Sequence, residues 1–316
     1  MTKLIILIPC YNEEKTLPQV IKSIPKKISG ISKIEILVLD DGSNDKTVKV
    51  ARQYGCIVVS NLKNQGLGKT FKRGIVEALN LGADILVNLD GDNQYKAEKI
   101  PLLVKPILEG DADLVIGNRP IFKIKHFSFI KKIFQYLGSY TVRFLSKSDV
   151  PDVVSGFRSY SKEAMLKLNI TCKFSYVIET IVQANRKGLK IYNINIDVNS
   201  PTRKSRLSKG IFDHIKKSVA DLLRVYIIYE PLKIFIYLSF IPFFLFLILI
   251  CRYFFFFYFF SSEGHIQSLI AATILFILSL HFLGLGILAE LNANNRQLIE
   301  DNLYIEKKRI YYNKNE

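Results

Sequence analysis

Two long uncharged segments near the end of the 316-residue chain constrain its fold most strongly. Leu232–Cys251 has no charged residue beyond Lys233, and Ile266–Leu288 has no Asp, Glu, Lys or Arg. A helix of about 20 apolar residues spans the ~30 Å hydrocarbon core of a bilayer. A buried hairpin of a soluble protein could be equally apolar, but two such segments in succession favour the membrane. The sequence therefore predicts a transmembrane hairpin, with helices at about residues 232–255 and 266–289.

Basic residues flank this hairpin and predict its orientation. They are Lys216, Lys217 and Arg224 before the first segment, and Lys307, Lys308, Arg309 and Lys314 after the second. The connector at residues 261–265 has no Lys or Arg. Because cytoplasmic flanks are rich in Lys and Arg, we expect a multi-pass protein of the cell (inner) membrane, with both termini and a tail at residues 291–316 in the cytoplasm.

Residues 1–120 alternate short apolar runs with helical stretches, which is typical of a parallel sheet covered by helices. Strands are predicted at Leu4–Ile8, Glu35–Leu39, Cys56–Val59, Ile85–Leu89 and Leu114–Ile116, with an edge strand at Lys190–Val198. Helices are predicted near Thr16–Ile24, Lys46–Tyr54, Lys69–Leu81, Ala97–Glu109, Lys162–Leu168 and Tyr176–Lys187. The sequence thus predicts an α/β domain with a mostly parallel sheet over residues 1–210.

Polar side chains follow three of these strands, at the edge where open sheets bind ligands. They are Tyr11 and Glu13, Asp40 and Asp41, and Asp90 and Asp92. Asp90 and Asp92 are two residues apart, so they point the same way on an extended backbone. With Gln94 they offer the oxygen ligands that Mg²⁺ or Mn²⁺ prefers. A polar turn after a buried strand would have the same composition, so this stretch alone leaves both interpretations open.

The charge distribution indicates an anionic partner. The formal net charge is +16, which fits a membrane surface, a phosphorylated substrate or nucleic acid. Residues 121–148 have basic residues and no Asp or Glu, interleaved with apolar ones, which favours a basic amphipathic helix on the membrane surface. A helix packed on the sheet is the alternative. A juxtamembrane amphipathic helix is expected at 211–230, and this clustering beside the hairpin argues against nucleic acid.

Five short motifs occur in order along the domain. They are Ile8–Glu14 (IPCYNEE), Asp40–Thr47 (DDGSNDKT), Asp90–Gln94 (DGDNQ), Gly117–Arg119 (GNR) and Ser155–Arg158 (SGFR). Together with the hairpin, they resemble family-2 glycosyltransferases of the GT-A fold. The resemblance covers residues 1 to about 210. Within that family, the sequence most resembles the polyprenyl-phosphate branch, which includes the dolichyl-phosphate mannose synthases.

The resemblance implies a role for each motif residue. The nucleotide sugar would be bound by Pro9, Tyr11, Glu13, Asp40, Asp41, Asp90, Arg203 and Lys209. The metal would be bound by Asp90, Asp92 and Gln94. The acceptor phosphate would be bound by Arg119, Ser155 and Arg158. Asp90, Asp92, Arg119 and Arg158 would be the catalytic residues. Asp40 is favoured over Asp41, because neighbours on a strand diverge. Arg206 stands where the family has Gly, which leaves open whether Arg203 or Arg206 meets the diphosphate.

The implied activity is a metal-dependent, inverting transfer of a hexose or amino-hexose. The donor would be a UDP- or GDP-sugar, and the acceptor an undecaprenyl or dolichyl monophosphate in the membrane. One alternative is transfer to a sugar hydroxyl, but processive enzymes of that kind have a Gln-x-x-Arg-Trp motif and this chain has no Trp. A non-catalytic membrane scaffold is the other alternative, and a homo-oligomer stays open.

Overall fold

A computed structural model describes residues 2–120, 143, 148–172, 176–199, 220, 223–224, 226–260 and 266–312. The basic helix predicted at 121–148 and the juxtamembrane helix predicted at 211–230 lie largely outside these residues, and Arg203, Arg206 and Lys209 lie wholly outside them. The chain forms two compact units. The first comprises Met1–Leu222 and Leu303–Glu316, and the second comprises Leu223–Asn302.

The first unit contains a seven-stranded sheet in the order β3-β2-β1-β4-β6-β5-β7. The strands are β1 (Lys3–Cys10), β2 (Lys33–Asp40), β3 (Ile57–Ser60), β4 (Ile85–Asn88), β5 (Leu114–Asn118), β6 (Arg158–Ser161) and β7 (Ile191–Asn195). All neighbours pair in parallel except β6, which is antiparallel to both β4 and β5. The predicted mostly parallel α/β sheet is confirmed.

Six helices of the described residues belong to this unit. They are α1 (Leu17–Ser23), α2 (Thr47–Gln53), α3 (Leu67–Asn80), α4 (Ile100–Leu108), α5 (Lys162–Lys167) and α6 (Tyr176–Arg186), with a 3₁₀ turn at Ala97–Lys99. The apolar run of β1 is fully buried from Leu4 to Ile8. A parallel strand covered on both faces reads as a continuous apolar run, which is why this pattern predicted the sheet correctly.

Strand β6 is the element that the sequence analysis missed. Its residues, Arg158 to Ser161, are mostly polar, yet Arg158, Ser159 and Tyr160 are fully buried. Strand prediction depends on apolar runs or on alternation, and a buried polar strand shows neither. The edge strand predicted at Lys190–Val198 is present as β7 at the border of the sheet.

Two long apolar helices, α7 (Pro231–Phe260) and α8 (Ile266–Tyr312), follow the sheet domain. Within the second unit they touch through small residues: Ser279 Oγ donates to the Ser239 carbonyl at 3.1 Å. Both helices are long and apolar enough to cross a membrane, and most of their apolar side chains are exposed. A core helix of a soluble protein would bury these side chains, so the pattern agrees with the predicted hairpin.

Residues 291–312, predicted as a tail, continue helix α8. From Leu303 onward they belong to the first unit. Tyr304 donates a 2.7 Å hydrogen bond to Glu163 Oε1, and Lys307 Nζ donates to Asn169 Oδ1 at 2.7 Å. The end of the helix is therefore packed on the sheet domain beside α5.

Candidate active site

The loops that follow β1 and β2 are joined by hydrogen bonds, and we call them the β1/β2 loops (residues 11–14 and 41–47). The amide of Asn12 donates to Ser43 Oγ at 2.9 Å, and the amide of Asn44 donates to Asn12 Oδ1 at 2.8 Å. Asn12 has a positive φ of 56°, a conformation that Asn adopts more readily than most residues. The local sequence thus fixes both loops at the carboxyl edge of the sheet.

Glu13 lies inside this edge. Its carboxylate accepts from Thr16 Oγ1 at 2.8 Å. A Cβ built on Gly91 would lie 3.5 Å from Glu13 Cγ and 3.1 Å from Cys10 Sγ, so the 90–95 loop packs directly on the end of β1. Burial raises the pKa of the Cys10 thiol, and the nearby Glu13 and Asp40 raise it further. Glu13, Asp40 and the 90–95 loop therefore border one region.

Asp40 and Asp41 take different directions, as predicted for neighbours on a strand. Asp41 accepts from the Asn61 amide at 2.8 Å and from the main-chain amides of Gln65 and Gly66 at 2.9 and 3.0 Å. Both of its oxygens hold the loop before α3, which gives it a structural role rather than the predicted nucleotide contact. Asp40 is the last residue of β2, and its Oδ1 accepts from the Ser43 amide at 3.0 Å.

The 90–95 loop contains the predicted metal ligands. Asp92 Oδ1 accepts from the Gln94 amide at 3.0 Å, which fixes the turn. Asn199, beyond β7, secures the same loop, because its amide donates to the Gln94 carbonyl at 2.8 Å and its side chain donates to the Asn93 carbonyl at 3.0 Å. The loop is thus held on two sides.

The donor set of this loop fits a hard divalent cation. Among the described residues, no three or more His, Cys, Asp or Glu side chains form a group that could hold a metal ion. Asp90, Asp92 and Gln94 would therefore supply only part of a ligand set. Mg²⁺ is commonly held by one or two carboxylates, with the remaining positions taken by substrate phosphates and water. Such a set suits a cation that is bound together with a diphosphate.

Arg119, at the end of β5, forms a buried ion pair. Its Nε and Nη2 donate to Asp152 Oδ2 and Oδ1 at 2.6 and 3.0 Å, and Asp152 is 1% exposed. Burial alone would lower the pKa of the guanidinium, but Tyr95, Asp152 and Asp90 around it outweigh burial and raise that pKa. Among the described residues, Nη1 of Arg119 has no hydrogen-bond partner. Arg119 thus keeps its charge and one guanidinium nitrogen for a further contact.

The surroundings of Arg158 argue against the predicted contact with an acceptor phosphate. Its side chain is fully buried and donates to the carbonyls of Ser155, Val177 and Val153 and to Thr180 Oγ1, at 2.7–2.8 Å. An acceptor phosphate would have to displace these buried bonds to reach the guanidinium. Its geometry indicates a structural role, which is to hold residues 152–158 (the 152–158 loop) against α6.

Gly156 links this loop to the 90–95 loop. Its amide donates to Tyr95 Oη at 3.1 Å, and its carbonyl accepts from Asn88 Nδ2 at 2.8 Å. A Cβ built on Gly156 would lie 3.1 and 3.2 Å from the two carboxylate oxygens of Asp90. The same Asn88 amide also donates to Tyr176 Oη at 2.8 Å. The Asp90 carboxylate therefore lies directly against the Gly156 backbone.

The structure places the predicted residues in two groups. The ends of β1, β2 and β4 bring together Pro9, Tyr11, Glu13, Asp40, Asp90, Asp92 and Gln94. Next to them lies Arg119. Ser155 is fully buried and donates to the Gly117 carbonyl at 2.6 Å, so it too has a structural contact. Asp41 and Arg158 lie in the protein interior, in supporting roles.

Four residues of this region went unrecognised in the sequence: Asn88, Tyr95, Asp152 and Tyr176. Asn88 ends an apolar strand and Tyr95 directly follows Gln94, so a polar residue at a buried strand end was an available signal. No local sequence pattern marked Asp152, because its partner Arg119 is 33 positions away in the chain.

Several known proteins are similar in sequence. A UDP-N-acetylglucosamine–dolichyl-phosphate N-acetylglucosaminyltransferase of Methanococcus voltae is 28% identical over 213 residues, which are 60% of this chain and 83% of that protein. An undecaprenyl-phosphate mannosyltransferase of Micrococcus luteus is 25% identical over 221 residues, 66% of this chain and 89% of that protein. An uncharacterised protein of Methanocaldococcus jannaschii is 31% identical over 199 residues, 61% of this chain and 80% of that protein.

The fold is similar to that of glucosyl-3-phosphoglycerate synthase from Mycobacterium tuberculosis, solved in complex with Mn²⁺, UDP and glucosyl-3-phosphoglycerate. The TM-score is 0.58 at 23% identity, over 72% of this chain and 79% of that chain. This likeness concerns the fold alone. The model of glycosyl transferase family 2 matches residues 5–168, which is more than half of the chain and runs from β1 through α5. This chain is therefore a member of glycosyl transferase family 2.

Proposed function

We propose that this glycosyltransferase moves a hexose or amino-hexose from a UDP- or GDP-sugar to a polyprenyl monophosphate, with inversion at the anomeric carbon. The family membership supports sugar transfer, and the relatives named for dolichyl-phosphate and undecaprenyl-phosphate substrates support the class of acceptor. The apolar helices α7 and α8 would hold the enzyme at the membrane where such a lipid lies, with both termini in the cytoplasm.

The Arg119–Asp152 pair is the observation on which the choice of acceptor depends. A hydroxyl acceptor needs a general base, and both oxygens of Asp152 are already bound to a guanidinium. A phosphate monoester has a second pKa near 6, so it is already a nucleophile at pH 7 and needs no base. Arg119 Nη1 offers a positive group that would orient the phosphate, which is the kind of positioning this reaction requires.

On the donor side, we propose that Pro9, Tyr11, Glu13 and Asp40 bind the nucleoside, because they lie at the adjoining ends of β1 and β2. Asp90 would face the ribose and the sugar. Asp92 and Gln94, with Asp90, would hold Mg²⁺ or Mn²⁺, which when bound supplies positive charge that stabilises the departing nucleoside diphosphate.

The test is a transfer assay with a panel of UDP- and GDP-sugars and radiolabelled transfer into undecaprenyl or dolichyl phosphate. Asp92→Ala should lower transfer about 100-fold or more, because it removes electrostatic stabilisation at the leaving group. Calorimetry with Mn²⁺ and the nucleotide should show lost metal-dependent binding. The free energy of unfolding should fall by only about 1 kcal/mol, because the variant loses the bond from the Gln94 amide but keeps the fold. Asp111→Ala removes an exposed carboxylate outside the site and should have no effect.

Wild-type transfer in Asp92→Ala would remove the metal hypothesis. Transfer to a sugar hydroxyl, with none to either lipid phosphate, would overturn the proposed acceptor. If the wild-type protein binds no nucleotide in calorimetry, the chain is a non-catalytic scaffold and the proposal as a whole fails.

A further inference from the structure

The Tyr95 hydroxyl is buried where the 90–95 loop meets the 152–158 loop. The proposed reaction requires these two loops to hold a fixed relative position. Tyr95 follows Gln94 directly in the chain, and its side chain is 2% exposed. Its ring stacks on Phe157 with centroids 5.3 Å apart. One tyrosine thus belongs to the 90–95 loop by sequence and to the 152–158 loop by its side-chain contacts.

The hydroxyl is surrounded by the polar groups of both loops. It accepts the Gly156 amide at 3.1 Å, which is a main-chain donor that would otherwise lose its partner in a buried place. The hydroxyl thus connects a main-chain amide of the 152–158 loop to the residue that directly follows Gln94.

Gly156 transmits this contact to Asp90. The Asp90 oxygens would lie 3.1 and 3.2 Å from a Cβ on Gly156, so the carboxylate has no room to move towards that backbone. The Gly156 carbonyl is held by the Asn88 amide at 2.8 Å. The glycine that packs on Asp90 is thus held on both sides, with its amide bound to Tyr95 and its carbonyl bound to Asn88.

We propose that Tyr95 is a positioning residue, whose hydroxyl couples the loop of Asp90 and Asp92 to the 152–158 loop and so keeps Asp90 aligned with Arg119. The inference rests on the proposed function, in which Asp90 faces the donor and Arg119 faces the acceptor phosphate. Tyr95 touches neither substrate. It acts through Gly156, which packs against the Asp90 carboxylate.

Two variants separate coupling from simple packing. Tyr95→Phe keeps the ring that stacks on Phe157 and removes only the hydroxyl. Tyr160→Phe is the matched control, because it removes a buried hydroxyl from β6 on a ring that packs against Phe71 at 5.5 Å. Gly156→Ala perturbs the other end of the same contact, since its methyl group would enter the space beside Asp90.

In steady-state transfer assays with the full-length protein in detergent, Tyr95→Phe should lower kcat by about tenfold, as expected when a reacting geometry is displaced. The KM for the nucleotide sugar should stay within about twofold of the wild type, because the β1/β2 loops are untouched. Tyr160→Phe should leave both constants unchanged. Equal kcat in Tyr95→Phe and Tyr160→Phe would overturn the inference and leave Tyr95 with a packing role only.

Hydrogen exchange measured with and without UDP or GDP plus Mn²⁺ tests the coupling without any acceptor. In the wild type, the nucleotide should protect both the 90–95 loop and the 152–158 loop. In Tyr95→Phe, protection should remain in the 90–95 loop and be lost in the 152–158 loop. In Gly156→Ala, protection should fall in both loops, because the methyl group would press on the Asp90 carboxylate itself. Protection of both loops in both variants would refute the coupling. If neither nucleotide protects the 90–95 loop of the wild type, the proposed function fails first, and the inference with it.

Discussion

The β1/β2 loops and the 152–158 loop border the same site but are held by different kinds of contact. The tips of the β1/β2 loops depend on partly exposed bonds, those of Asn12 with Ser43 and Asn44, although a buried bond joins Glu13 to Thr47 beneath them. The 152–158 loop depends on Arg158 and Asp152, which are 0% and 1% exposed. Exposed donors and acceptors can exchange partners with water, whereas buried ones cannot.

This difference indicates which side of the site is preorganised. A nucleotide that enters the β1/β2 loops can replace water-accessible bonds at little energetic cost. The 152–158 loop has no such freedom, because moving it would leave several buried polar groups without partners at once. We therefore expect the β1/β2 loops to rearrange when the nucleotide binds. The 152–158 loop should keep its structure, and its amides should gain protection only through the Tyr95 contact. Substitutions of Arg158, Asp41 and Asp40 test this contrast, and Glu35→Gln gives a reference outside the site.

The largest effect is expected from Arg158→Met. The substitution leaves the carbonyls of Val153, Ser155 and Val177 and the hydroxyl of Thr180 without their buried donor. The free energy of unfolding should fall by about 3–5 kcal/mol. Thermal unfolding of the full-length protein in detergent measures this. Arg158→Lys is the control. Its free energy of unfolding should lie between those of the wild type and Arg158→Met, because lysine keeps the positive charge but has fewer hydrogen-bond donors than the guanidinium.

A different result for Arg158→Met would restore the original prediction. If this variant unfolds at the wild-type temperature and has lost transfer to a lipid phosphate, Arg158 contacts the acceptor after all. The contrast between a rigid and an adaptable side of the site would then be wrong.

An intermediate effect is expected from Asp41→Ala on the nucleotide side. It removes the acceptor for Asn61 and for the amides of Gln65 and Gly66, so the unfolding free energy should fall by about 2–3 kcal/mol. Asp40→Ala removes a single bond to Ser43 and should cost about 1 kcal/mol. It should nevertheless weaken nucleotide binding by about tenfold, which is a typical loss for one contact.

Thermal unfolding together with UDP and GDP titrations compares these neighbours. If Asp41→Ala retained its stability and lost nucleotide affinity, Asp41 would be the ligand contact and Asp40 the structural residue. That result would contradict the division of roles between them.

The smallest effect is expected from Glu35→Gln, far from the site at the start of β2. Glu35 forms ion pairs with Lys3 at 2.8 Å and Lys33 at 2.7 Å. Burial would raise the pKa of the Glu35 carboxyl, but the contacts with Lys3 and Lys33 outweigh it and lower that pKa. Because the pair lies near the surface, its removal should cost less than about 1 kcal/mol.

The pH dependence of this contribution has a definite sign. A carboxyl whose pKa is lower in the folded state stabilises the fold above its unfolded pKa of about 4.3, and loses that contribution as the pH falls through the folded value. The wild type and Glu35→Gln should therefore differ in unfolding temperature at pH 7 and converge in acid. A difference that grew as the pH fell would contradict this assignment.

Local patterns allowed much of the fold to be predicted. The buried run of β1, the helical periodicity of α3 and the long apolar stretches of α7 and α8 are all properties of contiguous residues. Strand β6 was not predictable in this way. Its residues are stable in the interior only because Arg158 finds its partners in α6 and in the 152–158 loop, which are known only once the chain is folded.

The sequence by itself determined the class of fold, the apolar hairpin and the edge of the sheet where acidic side chains meet, because each follows from residues that are near one another in the chain. The partners of those side chains became known only from the tertiary structure. Asp41 and Arg158 have partners in the protein interior, whereas Nη1 of Arg119 has no hydrogen-bond partner within the described part of the chain. The physical reason is that hydrogen bonds in a buried place must be satisfied, and the chain finds those partners only at long range.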